Sequence, residues 1–125
     1  MAKAVLVVDD IAIIRRVLCE VFASDSDFNV CGEAENGQDA IVKAQTLHPD
    51  LIVLDLSMPI MNGIDAARAL KKLMPTVPLI MFTVHSDVLS EEDARSAGVS
   101  AVVSKSDHAS VLLRKARALV YQTAA

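Results

Sequence analysis

Five short apolar runs rich in β-branched residues alternate with amphipathic segments of helical period, and this alternation restricts the fold more than any other feature of the chain. The runs are Ala4–Val8, Phe28–Ala34, Leu51–Leu54, Pro78–Phe82 and Ala101–Ser104. The first, third and fourth are apolar nearly throughout, as strands of a parallel sheet buried on both faces must be. The second carries Asn29 and Glu33, as an edge strand would. Strand and helix alternating in this way imply right-handed crossovers and a three-layer α/β domain.

The intervening segments read as helices. Ile11–Ala23 places Ile14, Val17, Leu18, Val21 and Phe22 on one face, with Arg15, Arg16 and Glu20 off it. Gly37–Leu47 repeats at Ala40, Ile41, Ala44 and Leu47 and stops before Pro49. Gly63–Met74 repeats at Ala66, Ala67, Leu70 and Leu73 and meets Pro75. Ser90–Ala97 is a short helix with Ser90 as its cap and Gly98 closing it. The last helix starts from Ser106 or Asp107 and runs toward Tyr121, where its basic residues Arg114, Lys115 and Arg117 suit the negative end of the dipole.

At 125 residues the chain has room for one domain, residues 1–125 with a core of about 3–121 and a frayed end at Gln122–Ala125. A domain of this size buries roughly two-thirds of its unfolded surface and needs no disulfide or structural metal. Cys19 and Cys31 form no C-x-x-C pair and read as small hydrophobes in a reducing compartment; His48, His85 and His108 are too scattered for a metal site. Met58, Met61, Met74 and Met81 read as packing. The apolar runs are too short to span a membrane, and MAKAVLVVDD lacks the make-up of a secretory signal, so a cytoplasmic protein is expected. A formal charge of −4 and 3% aromatic residues disfavour nucleic-acid binding by this domain.

Open parallel sheets bind ligands beyond the carboxyl ends of their strands. Those ends carry Asp9 and Asp10, Asp55, Thr83 and Lys105. Singly, each has an ordinary role: an acid caps a helix, a threonine suits a strand, a lysine sits in solvent. Together they place three acids, a hydroxyl and an amine on one rim. At an effective dielectric near 20, two carboxylates ~5 Å apart repel by roughly 3 kcal/mol. Lys105 offsets one charge, so the cluster calls for a hard divalent cation held by oxygen ligands, and Mg²⁺ fits. An aspartate can also act as a nucleophile and form an acyl phosphate, with catalysis coming mainly from alignment and charge neutralisation.

These residues, and the segments VLVVDD (Val5–Asp10), PDLIVLDLSMPIMNG (Pro49–Gly63), PLIMFT (Pro78–Thr83) and AGVSAVVSK (Ala97–Lys105), resemble a response-regulator receiver domain over nearly the whole chain. The resemblance implies a flavodoxin-like fold with strand order 2-1-3-4-5 and helices on both faces. By position, Asp55 is then the phosphoacceptor. Asp10 is a direct Mg²⁺ ligand and Asp9 acts largely through water, while the Ser57 backbone carbonyl is a further ligand. Thr83 is the switch hydroxyl and Lys105 contacts the phosphate. The implied partners are a sensor histidine kinase or phosphotransfer protein and a downstream protein or output domain, with a homodimer formed on phosphorylation as a further state. The domain is a regulatory module rather than an enzyme on other substrates, although it assists its own phosphorylation and dephosphorylation.

Two positions depart from the family pattern. Val102 stands where an aromatic usually sits three residues before the lysine, which shifts expected output to the loop after Thr83 and the fourth helix. Ser106 follows the lysine where proline in a cis bond is common, so a trans bond is expected. Ser57 and His85, each two residues past a key position, flank the path of attacking water and are expected to set phosphoryl lifetime. Among rivals, a flavin module would need a phosphate-friendly loop after the first strand, where this chain has acids. A haloacid-dehalogenase-like phosphatase would need an Asp-x-Asp on that strand and a cap. A degenerate receiver that only binds proteins, independently of phosphorylation, is the alternative that Val102 keeps open.

Overall fold

The computed structural model describes residues 2–84 and 91–121. The elements alternate as expected: β1 (Lys3–Val8), α1 (Ala12–Ala23), β2 (Phe28–Ala34), α2 (Gly37–Leu47), β3 (Leu51–Leu54), α3 (Gly63–Leu73), β4 (Leu79–Thr83), α4 (Glu91–Ser96), β5 (Ala101–Ser104) and α5 (Ala109–Val120). All strand pairs are parallel, in the order β2-β1-β3-β4-β5. This is the flavodoxin-like architecture. β2 lies at an edge, and its Asn29 and Glu33 are exposed.

Because neighbouring side chains of a strand point to opposite faces, each apolar strand feeds two cores. Leu6, Val8, Ile52, Leu54, Leu79 and Met81 pack with Ala40 and Ala44 of α2, Ala66, Ala67 and Leu70 of α3, and Ala94 of α4. Val5, Val7, Leu51, Val53 and Ile80 pack on the other face with Leu18 and Phe22 of α1 and Leu112 and Ala116 of α5. The four methionines Met58, Met61, Met74 and Met81 all belong to the first core, as packing residues.

The buried stripes of the helices are narrower than their apolar periodicity suggests. Val17 is 49% exposed, Leu47 37% and Leu73 47%, so each of these expected core positions lies at the rim. β4 is shifted one residue and takes in Thr83, while α3 ends one residue early, at Leu73. α5 is capped by His108, whose ring nitrogen accepts from the Ser110 N–H, and not by Ser106 or Asp107. The Asp107 carboxylate instead accepts from the Ser104 N–H at 3.3 Å. Arg117 pairs with Asp25 and Asp27 in addition to lying in the last turn of α5. The proposed cap Ser90 lies outside the described residues.

Leu54 is the last residue of β3 and fully buried, directly before Asp55. Leu54→Ala is expected to cost about 2–5 kcal/mol through lost burial and the cavity left behind. Urea unfolding should show this as a lower midpoint at unchanged slope.

Candidate functional site

Register brings the acids together. Val8 pairs with Leu54, and the Asp55 N–H donates to the Val8 carbonyl at 3.0 Å, which sets Asp9 and Asp55 side by side beyond the ends of β1 and β3. On the far side, the Lys105 N–H donates to the Thr83 carbonyl at 3.0 Å, so β4 and β5 deliver the hydroxyl and the amine to the same rim. One carboxylate oxygen from each of Asp9, Asp10 and Asp55 lies within 4.8 Å of the others. Asp9, Asp55 and Thr83 are buried, whereas Asp10 is exposed.

Lys105 Nζ lies 2.9 Å from Asp9 Oδ2 and 3.4 Å from Asp55 Oδ1. The other Asp9 oxygen accepts from the Ile11 N–H at 2.9 Å. Both oxygens of Asp9 thus have protein partners, which suits an acid that acts on an ion through water. Asp10 faces solvent. Its neighbours across a cavity of about 570 Å³ are Leu56, Ser57, Met58, Pro59 and Asn62, so the Ser57 position lies beside it. His85 lies outside the described residues.

The loop after Asp55 is held closely. Gly63 donates its N–H to the Leu56 carbonyl at 2.8 Å, and a Cβ at this glycine would come within 2.2 Å of the Asp55 carbonyl oxygen. Only glycine allows α3 to start so near Asp55. Asn62 caps α3 by accepting from the Asp65 N–H. Ile60 has φ 70, an unusual value for a β-branched residue, and is exposed. Every peptide bond among the described residues is trans, including that between Lys105 and Ser106.

One contributor has no counterpart in the sequence pattern. Arg15, placed simply off the apolar face of α1, reaches back to donate to the Asp9 carbonyl at 2.7 Å and pairs with Glu33 of β2 at 3.2 Å. Its guanidinium ties the turn carrying the two acids to the edge strand. A clue was its place one to two turns into the helix that follows Asp9 and Asp10.

Charge follows from this geometry. Burial, and then the charge of Asp9, push the Asp55 carboxyl above its usual range, although Lys105 works the other way. Burial also works against the Lys105 charge, but Asp9 and Asp55 outweigh it and raise its pKa, so it stays cationic at neutral pH. Three carboxylates against one ammonium leave a deficit of positive charge, and an oxygen-only donor set of this kind fits Mg²⁺.

Fold and site together define a two-component receiver module. The chain belongs to the response regulator receiver domain family, which matches residues 5–117. Phosphorylation and Mg²⁺ binding are typical of that family, whose members work with histidine kinases or phosphotransfer proteins and with output domains. The chain is 39% identical over 102 residues to a protein-glutamate methylesterase/protein-glutamine glutaminase of Idiomarina loihiensis, a match covering 80% of this chain and 26% of that protein. It is 46% identical over 92 residues to a protein of the same description from Pyrococcus abyssi, covering 74% of this chain and 24% of that one. The chain spans about a quarter of the length of these curated relatives. The response regulator domain of Thermotoga maritima CheB superposes with a TM-score of 0.90 at 31% identity, covering 99% of this chain and 100% of that one. Thermotoga maritima TrrA, a response regulator protein solved in complex with Mg²⁺ and BeF, superposes with a TM-score of 0.85 at 30% identity, covering 94% and 98%. Among the described residues no helix is long and apolar enough to cross a membrane.

The raised Asp55 pKa has a definite sign for stability. The folded state holds a proton on this carboxyl more firmly than the unfolded state, so the associated stability is present at low pH and lost as pH rises through the unfolded and then the folded value. Without divalent ions, Asp55→Asn is therefore expected to be more stable than the parent chain at pH 7, with the difference shrinking as pH falls through the raised folded value and gone below about 4. Thermal unfolding in chelator reads this, each kcal/mol of relief raising Tm by roughly 4 °C.

Proposed function

We propose that Asp55 accepts a phosphoryl group from a phosphohistidine of a sensor kinase or phosphotransfer protein. The observation that carries this reading is the buried Asp55 carboxylate beside Asp9 and Asp10, with the Lys105 ammonium 3.4 Å from it and bridging to Asp9. An Asp55 oxygen attacks phosphorus; a P–O bond forms, the P–N bond breaks, and its electron pair stays on the leaving imidazole nitrogen. Asp9, Asp10, Asp55 and the Ser57 carbonyl are the groups that would hold Mg²⁺. That ion, when bound, supplies neutralisation of charge on the phosphoryl oxygens.

The remaining work falls to residues of the chain. Lys105 already reaches Asp55 Oδ1 and can shift from the carboxylates to a phosphoryl oxygen with little movement. The Thr83 hydroxyl, from the end of the neighbouring strand β4, donates to another. Ser57, exposed beside the site, faces the route of attacking water and with His85 sets phosphoryl lifetime. With Val102 in place of a ring, the change is read at the loop after Thr83 and at α4, a surface for a downstream protein, an output domain or a second phosphorylated copy. The domain turns over no other substrate, and it works in the cytoplasm where its phosphodonors are.

Incubation with acetyl phosphate, with and without Mg²⁺, followed by intact-mass measurement tests the reading. One phosphoryl group should be gained, only with Mg²⁺, and Asp55→Ala should gain none. A folded parent chain that gains none under either condition would instead be a phosphorylation-independent protein-binding module.

A further inference from the structure

Away from the acid site, α3 and α4 enclose a groove of about 740 Å³ whose walls include Asp65, Arg68, Lys71, Lys72 and Arg95. Four cations face one acid there, in a chain whose formal charge is −4. Arg68 lies 3.7 Å from Asp65, and no other ion pair among the described residues involves these cations. Lys71 and Lys72 occupy the last turn of α3, and Arg95 that of α4. Cations suit a helix C-terminus, which explains each helix taken alone. It does not explain two cationic helix ends placed side by side, where they repel one another across the groove.

The floor is small and close. Gly98 has φ +93, and a Cβ there would come within 2.6 Å of Lys71 Cγ and 2.9 Å of Lys71 Cβ. The stem of Lys71, from Cβ to Cδ, therefore lies against Gly98 just past the end of α4. A side chain so restrained has less freedom to lose when a partner arrives. Ala69 and the Lys71 stem add apolar surface without bulk, over the buried Ala97.

The chemistry of the occupant follows from what the groove lacks. Helix N-termini seat phosphate through free N–H groups, whereas the ends meeting here are C-terminal and offer carbonyls. The cations are also spread along a turn of α3, at i, i+3 and i+4, rather than converging on a point. That spacing matches carboxylates repeated along one face of a second helix. We propose that the α3–α4 groove docks an acidic, amphipathic helix of a partner protein. Arg68, Lys71, Lys72 and Arg95 pair with its Asp and Glu side chains, and Ala69 and the Lys71 stem meet its apolar positions. This surface is separate from the phosphoacceptor site.

The test uses a fluorescein-labelled helical peptide of about 15 residues, with Glu at i, i+3 and i+4 and Ala or Leu between, and reads fluorescence anisotropy with the full chain. Binding should weaken as salt rises. Lys72→Glu combined with Arg95→Glu, both at exposed positions, should weaken it at least roughly tenfold with unchanged circular dichroism. Arg114→Glu, on exposed surface of α5, should leave it unchanged. Absence of binding by the parent chain, or equal loss in Arg114→Glu, would overturn the proposal. So would displacement of the peptide by inorganic tripolyphosphate at concentrations below the peptide's own Kd, which would make the groove a phosphate site. Acetyl phosphate labelling of the same variants keeps the two readings apart: a chain that binds peptide but gains no phosphoryl group sinks the phosphoacceptor role and leaves the groove standing.

Discussion

The carboxylates of Asp9 and Asp55 are neighbours because the backbone gives them no alternative. Val8 and Leu54 are register partners in adjacent parallel strands, and the Asp55 N–H continues that ladder to the Val8 carbonyl. Separating the two charges would mean breaking the centre of the sheet, where side chains are fully buried on both faces. The repulsion is therefore built into the most rigid part of the molecule. Lys105 bridges both acids but supplies one charge for three carboxylates. The rest of the rim serves to hold this arrangement in place. Arg15 anchors the Asp9 carbonyl, Gly63 lets α3 begin against the Asp55 carbonyl, and Asn62 caps that helix.

Much of this was legible in the sequence because the informative residues sit at ends of apolar runs. Where a buried strand stops, the next side chain emerges at the rim, so Asp9, Asp55 and Lys105 could be placed without knowing any contact. Strand order followed from the family resemblance, and the edge position of β2 from its own Asn29 and Glu33. Less legible was how much of each helix is covered. Periodicity marks the apolar side, but the width of the buried stripe depends on the curve of the sheet beneath it, and Val17, Leu47 and Leu73 fall past its border. Arg15 was missed for a related reason. A long side chain that turns back toward its own helix start looks, in sequence, the same as one that points to solvent. The cap of α5 went to His108 because its ring nitrogen reaches the Ser110 N–H, while Asp107 is occupied by the Ser104 N–H.

The same rim also determines which parts of the surface a change at Asp55 can reach. α3 begins at Gly63, in contact with the Asp55 carbonyl, and α4 is the first element after Thr83. Of the two helices that border the cationic groove, α3 thus starts against the site itself. A phosphoryl group on Asp55 would move negative charge outward from the sheet and draw Lys105 away from Asp9. Lys105 directly follows β5, and its N–H bonds the Thr83 carbonyl at the end of β4, on the side of the sheet away from the β2 edge. The opposite face, packed by α1 and α5 around Phe22 and Leu112, is tied to the same rim, since α1 follows Asp9 and Asp10 and its Arg15 holds the Asp9 carbonyl. The charge imbalance is therefore confined to one end of the sheet, where the elements of both cores meet it.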